Sequence, residues 1–392
     1  MNYAQIYSMM NTVASEMWGE SAVTVKDTSS FYSMGERVAD MAEVGRDKFL
    51  GVIADKVGRT VYRNLDATVD FPGLMVEAYQ FGAMLEKIDV QPFEAVESNW
   101  VNVGEVGFTP SLYNIKKPNV TAKYFKDSTT FQFNVTIPDK LFASAFRSEG
   151  DMDRLISYIM NSFETSMTLY VSYLNRTLVN AAIAEKMEAG NNIINAVDLY
   201  NTAYGLTGDD AIDEDTALNT PQFLRFLGKL VRDTIKYMAE PSVLYNDAGM
   251  VRATARDNMH VLLATAFVSA YETNFQSDSF NKEMVDLPFF YEYPWLSGPS
   301  ATAPTAESTT TIKVQTKSGA TVEASHIVGV IADRQAIFTG YFDRFSAADR
   351  NNRDRYTNYT VGNTQQTCID LSENMCVIVL KDPTVTPADD GE

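Results

Sequence analysis

Apolar and polar positions alternate along this chain with two periods, and the helical one is the easier to read. From Asp151 to Ala189 thirty-nine residues pass without a Gly or Pro, fenced by Gly150 and Gly190. Apolar residues fall at Met152, Leu155, Ile156, Ile159, Met160, Phe163, Met167, Tyr170, Val171, Leu174, Leu178, Ala181 and Ala182, the i, i+3, i+4, i+7 spacing of a helix with one buried stripe. The spacing predicts a single helix on the order of 58 Å long at about 1.5 Å per residue. Ser148, Glu149 and Asp151 offer a cap and first-turn negative charge, and Gly190 offers a left-handed stop. Such a rod far exceeds the usual helix of about 11 or 12 residues and needs partners along its length. An all-helical bundle or coiled coil would supply them, but the neighbouring segments carry the other period.

Upstream, Asn119 to Ile137 alternates at Phe131, Phe133, Val135 and Ile137 and reads as strand, and Val96 to Phe108 reads as a second extended run. Pro110 to Pro118, with Lys116 and Lys117, is the turn between them. A two-stranded ribbon leading straight into the rod is the expectation. Residues 1 to 60 read as a mostly helical arm interrupted at Gly19 and Gly35. Thr220 to Ala239 is a second amphipathic helix, with Pro221 in its first turn and Pro241 past its end. Met259 to Thr265 reads as a strand followed by helix through Tyr271, and Thr311 to Ala324 as a hairpin about Ser318 and Gly319. Ile327 to Ile331, Ala336 to Gly340, Tyr356 to Val361 and Cys376 to Leu380 are further strands. The Ala-, Ser- and Thr-rich stretch Pro299 to Thr311 marks a surface excursion, and Thr384 to Glu392 reads as a disordered acidic tail. Helices and strands mix without a strict βαβ rhythm, which indicates an α+β fold.

With 392 residues, 45% of them apolar, the chain can bury substantial cores. It has no run of eighteen or more apolar residues and no basic-then-apolar start, so neither membrane insertion nor secretion is indicated, and a cytoplasmic site of synthesis and residence is expected. A net charge of −19 argues against tight wrapping of nucleic acid, because phosphate neutralisation needs clustered Lys and Arg. Enclosing DNA without gripping it stays open.

Catalytic chemistry is thin. His260 and His326, the two histidines, fit no metal spacing and no nucleophile motif. The phosphate-loop, dinucleotide, nucleophile-elbow and zinc-protease signatures are missing. Cys368 and Cys376 read as reduced packing residues, with a disulfide or metal pair as the alternative. The acidic run Asp209, Asp210, Asp213, Glu214 and Asp215 lacks the calcium-loop ligand pattern and reads as a solvated loop. Arg344, Arg350, Arg353 and Arg355, with Tyr356 and Tyr359, look like a small nucleic-acid patch. Asp333, Asp343, Asp349 and Asp354 interleave with them, which favours an ion-pair network at a subunit contact. No catalytic residue, cofactor or metal site is expected.

The order of parts, arm, extended ribbon, long helix, mixed α+β region, resembles that of major capsid proteins of tailed bacteriophages with the Hong Kong 97-type fold. Local residues are similar to short-tailed Bacillus phage members of that family. Asp55-Lys56-Val57-Gly58 before Val61 and Arg63 resembles the entry into the extended loop. Pro118-Asn119-Val120 followed by Phe131-Gln132-Phe133 resembles its returning strand, and Ser162-Phe163-Glu164 lies in the expected spine helix. Arg225 to Arg256, Met259 to Thr265, Gly329 to Tyr341, the Arg350-Asn351-Asn352-Arg353 turn and Cys376 to Leu380 follow in the same order. The excursion at 299–324 departs from the pattern.

The resemblance implies a structural subunit, not an enzyme, that assembles with itself as hexamers and pentamers into an icosahedral head around packaged double-stranded DNA, in the host cytoplasm. Its implied parts are an N-terminal arm (1–61), an extended loop (62–137), a peripheral domain with the spine helix (138–195 and 335–368), an axial domain (196–334 and 369–382) and an acidic tail (383–392). Because little chain precedes the ribbon, a separate scaffolding protein is expected, together with a portal and a decoration protein as partners. Some members crosslink a loop lysine to a neighbour; Lys116, Lys117 and Lys126 lie in that loop, and solvated or ion-paired lysines are the alternative. These three and Arg344, Arg350, Arg353 and Arg355 are the candidate intersubunit contacts. An encapsulin-type cellular shell and a soluble carboxylate-site hydrolase are the rival readings.

Overall fold

The structure, a computed structural model, describes residues 7, 11–12, 14–15, 18–19, 24–39, 71, 74–76, 85–90, 120–138, 149–275, 290–298, 309–351 and 353–388. In chain order, α1 (Thr28–Ala39) precedes β1 (Met75–Val76), β2 (Leu85–Val90), β3 (Val120–Phe125) and β4 (Ser128–Pro138). Then come the long helix α2 (Glu149–Ala189), β5 (Ile193–Asn195), α3 (Ala196–Tyr204), α4 (Pro221–Ala239), β6 (Met259–Ala264) and α5 (Thr265–Phe275). The rest is strand: β7 (Tyr291–Tyr293), β8 (Ile312–Gln315), β9 (Thr321–Ala324), β10 (Ile327–Asp333), β11 (Ile337–Asn351), β12 (Tyr356–Ile369), β13 (Met375–Val379) and β14 (Thr384–Thr386).

The predicted rod is real and unbroken. α2 has 41 residues, about 62 Å at 1.5 Å each, and stops at Gly190, whose φ of 71° is the left-handed conformation that glycine adopts without penalty. Its buried stripe runs Ile159, Phe163, Met167 and Val171, then Leu178, Val179, Ala182, Ile183 and Met187. The rod spans two supports. Its middle lies on the sheet β1-β11-β12-β4, where the Tyr170 ring meets Phe131 at a tilt and Phe133 edge-on, with ring centroids 4.7 and 5.9 Å away. Farther along, Gln365 Nε2 on β12 donates to Asn175 Oδ1 at 3.3 Å and to Thr339 Oγ1 at 2.6 Å, a fully buried polar seam between rod and sheet. The last turns of α2 pack on β8, β9 and β13.

The five-stranded sheet β5-β13-β10-β6-β7 forms the centre of the apolar core. Its middle strands are buried on both faces, so alternate residues feed two clusters. Met375, Val377 and Val379 join Leu178, Ile183 and Met187 of the rod, whereas Cys376, Ile378 and Leu380 join Phe223, Leu227 and Val231 of α4 and Phe267 of α5. Gly228 lets α4 and α5 approach: a Cβ there would lie 2.5 Å from the Tyr271 ring.

Four expectations need correction. Asn119 to Ile137 is not one strand; it breaks at Lys126 and Asp127 into β3, which pairs with β2, and β4, which pairs with β12. The strands near Ala336 and Tyr356 extend far beyond the apolar runs, forming a hairpin registered from Ile337 opposite Ile369 to Asn351 opposite Tyr356. Ladder hydrogen bonds carry these strands through polar residues that show no alternation. The strand at Ile327 likewise continues to Asp333. Thr384–Thr386, expected in a disordered tail, pairs with the free edge of β9. Val96 to Phe108, the turn Pro110 to Pro118, residues 299–308 of the excursion and most of the arm lie outside the described residues.

Candidate intersubunit surface and its anchor

The β2–β3 ribbon is built inside out. Both strands alternate, and the antiparallel register puts Glu86 opposite Tyr124, Ile88 opposite Ala122 and Val90 opposite Val120 on one face. That face is turned to solvent, with Ile88 61%, Val90 53%, Val120 50% and Tyr124 55% exposed. The other face carries Lys87, Asp89, Thr121 and Lys123 and is turned toward the body. A strand on an ordinary core does the reverse.

Charge explains the inward face. Lys87 and Lys123 stand directly opposite each other, a like-charge pair that would weaken an isolated ribbon. Between them comes Asp370, from the turn joining β12 to β13: Lys87 Nζ donates to its Oδ2 at 2.6 Å and Lys123 Nζ to its Oδ1 at 2.7 Å. Lys87 Nζ also reaches Glu373 Oε1 at 2.5 Å. Arg252, between α4 and β6, bridges Asp89 Oδ1 at 2.8 Å and Glu373 Oε1 at 3.4 Å. Asp89, Asp370 and Glu373 are all buried. Burial by itself would push the Asp370 carboxyl up, but the bonds from Lys123, Lys87 and Ser372 outweigh it and hold the carboxyl well below the usual carboxylate range. Burial would likewise lower Lys87, and its bonds to Asp370 and Glu373 leave the ammonium above its ordinary value.

The three carboxylates lie within 4.8 Å of one another, near enough to hold a metal ion. Two ammonium groups and a guanidinium already balance them, so no charge deficit calls for one. Burial and the nearby Arg334 push the His260 imidazole down to about 4. Both cysteines are free and buried, with their thiols pushed up to about 12 by burial, so neither offers a thiolate at neutral pH. The acidic run is a turn: Asp213 Oδ1 accepts from the Thr216 N–H at 2.8 Å, and Glu214 pairs with Lys381 at 2.7 Å.

A model of the Phi29-like phage major capsid protein family matches residues 8–379. The chain belongs to that family. Among solved structures, it resembles the capsid of Staphylococcus phage Andhra at 11% identity and a TM-score of 0.53, over 80% of this chain and 85% of that one. It also matches a chain from the structure of the head fiber and inner core protein of bacteriophage P68 at 11% identity, covering 80% and 86% of the two chains with a TM-score of 0.46. The mature capsid of bacteriophage PhiM1 matches at 7% identity, over 79% and 86%, with a TM-score of 0.41. No curated protein matches. The fold of this capsid protein is Hong Kong 97-like, α+β.

In this capsid protein the sequence-predicted contacts fall in three places. Lys116 and Lys117 lie outside the described residues. Lys126 is exposed in the two-residue link between β3 and β4. Arg353 and Arg355 are exposed in the turn of the β11–β12 hairpin, Arg355 with a φ of 54°, and Arg350 ends β11 beside them. Arg344 sits six residues back along the same strand, about 20 Å away. Asp333 is apart from the tip: it closes β10, accepting from Thr254 Oγ1 at 2.7 Å and from the Gln335 N–H at 2.8 Å. Sequence reasoning missed Lys87, Asp89, Lys123, Arg252, Asp370 and Glu373. The alternation in Leu85-Glu86-Lys87-Ile88-Asp89-Val90 marks a two-faced strand, but nothing local says which face is buried.

The rod carries two large exposed apolar side chains, separated by polar ones. Tyr158 and Leu169, each more than half exposed, stand eleven residues apart, three helical turns, with exposed Asn161 and Thr165 between them.

Proposed function

We propose that this chain is the shell-forming subunit of a tailed-phage head, assembling with copies of itself as hexamers and pentamers into an icosahedral shell around double-stranded DNA. The observation that carries the proposal is the inverted ribbon. Four large apolar side chains face water on a two-stranded element, which is marginal alone, and burying each against a neighbouring copy is worth about 1–2 kcal/mol. Tyr158 and Leu169 on the rod are two further exposed apolar side chains for a neighbouring copy to cover. The exposed arginines of the β11–β12 tip and Lys126 remain candidate contacts between copies. A net charge of −19 suits a lumen wall along which DNA slides without adhering.

On this reading the subunit divides into an arm (1–61), an extended loop (62–137) whose last strand returns into the four-stranded sheet, a peripheral domain (138–195 and 335–368), an axial domain (196–334 and 369–382) and a tail (383–392). A separate scaffolding protein, a portal and a decoration protein complete the head, which assembles in the host cytoplasm. Among the described residues no helix is long and apolar enough to cross a membrane.

The test is to place charge on the outward face. Ile88→Asp with Val120→Asp leaves the unassembled subunit folded, with thermal unfolding within a few degrees of wild type, because both side chains are exposed. Under conditions in which wild type forms shells, negative-stain microscopy then finds no closed particles. Normal particles from the double variant would overturn the proposal.

A further inference from the structure

The turn that receives the ribbon is also where the chain passes from the four-stranded sheet to the five-stranded sheet, since β12 belongs to one and β13 to the other. Backbone bonds pin it on all sides. The Asp370 N–H donates to Ala336 O at 2.8 Å, the Asp247 N–H to Leu371 O at 2.9 Å, the Asp333 N–H to Asn374 O at 2.7 Å and the Met375 N–H to Tyr245 O at 2.9 Å. Ser372 adds its N–H and Oγ to Asp370 Oδ1 at 3.0 and 2.6 Å. The Asp370 carboxylate is therefore set in place by the body itself. The two lysines that meet it belong to the ribbon.

We propose that Lys87, Asp89, Lys123, Arg252, Asp370 and Glu373 form a clamp that couples the pose of the β2–β3 ribbon to the joint between the two sheets. Neither side is self-sufficient. Without the turn, the ribbon holds two ammonium groups face to face; without the ribbon, the turn buries Asp370 and Glu373 with Arg252 as their remaining cation. Removing one partner of a buried ion pair leaves an uncompensated charge, so the loss is felt on both sides of the contact. Coupling of this kind is reciprocal: whatever loosens the joint frees the ribbon, and whatever frees the ribbon loosens the joint. The clamp is a property of the single subunit and stands or falls separately from the shell.

Hydrogen–deuterium exchange on the full-length, unassembled chain tests it. Asp370→Asn is expected to speed exchange at least tenfold in 85–90 and 120–125 while 261–264 and 327–331 keep wild-type rates. Lys123→Met, on the partly exposed ribbon side, is expected to speed the ribbon and also the turn at 370–374, and Lys123→Arg to retain protection in both. If Asp370→Asn gives no folded protein, the two Lys123 variants carry the test. The clamp is overturned if Lys123→Met leaves 370–374 at wild-type rates, if Lys123→Arg behaves like Lys123→Met, or if exchange rises uniformly along the chain.

Discussion

β13 and the β2–β3 ribbon follow the same two-residue alternation and put it to opposite uses. In β13 every residue is buried, and odd and even positions serve two apolar clusters of one subunit. In the ribbon, one set of positions is charged and turned inward, while the other is apolar and turned to water. Alternation thus fixes that a strand has two faces but not what each face meets. The core strand is completed by its own chain. The ribbon is held on one side by Asp370 and Glu373 and on the other presents its apolar residues to solvent.

Truncating one isoleucine from each region gives the sharpest contrast. Ile378, fully buried in β13, costs about 2–5 kcal/mol when changed to Ala, through lost transfer energy and the cavity left behind. Ile88→Ala on the ribbon costs the unassembled subunit less than about 0.5 kcal/mol. Chemical denaturation of the two variants measures both, and equal losses would break the comparison.

The ribbon's attachment carries a pH signature of its own. Asp370 has a depressed carboxyl in the folded chain, so its contribution is fully present above the unfolded value of about 3.9 and is lost as pH falls through the lower folded value. Lys87 is raised, so its contribution is present below about 10.4 and is lost as pH climbs through the higher folded value. Ribbon protection factors, corrected for intrinsic exchange, are expected to stay flat between about pH 5 and pH 9.5 and to drop outside that window. A slope across neutral pH would contradict the assignment. The smallest effect belongs to the third kind of strand. β14 is exposed at every residue, so Val385→Asp is expected to change stability by less than about 0.5 kcal/mol.

The segments best read from sequence were those whose order is local. The rod and α4 declare themselves by a 3.6-residue period between Gly and Pro boundaries, and α4 begins at Pro221 as expected. β6 and β13 are short apolar runs that their sheet buries. What failed needed distant partners. β11 and β12 hold their length through Asp343, Arg344, Ser346 and Asn363, residues with no strand signal of their own, because the two strands pair along their whole length and β12 pairs with β4 on its other side. The clamp joins Asp89 to Glu373 through Arg252, three residues scattered over most of the chain, and no spacing rule connects them. The arginine run was visible as a cluster, but folding divides it between a hairpin tip and a site farther along the strand.

The uninterrupted rod has a mechanical corollary. It lies across both sheets like a splint, while the β12–β13 turn fastens the same two sheets at another point. A body braced twice cannot hinge freely: any change of angle between its halves must flex the splint or tear the second fastening. Long helices bend gently more readily than they break, so a shape change in this subunit would be recorded first as curvature in α2.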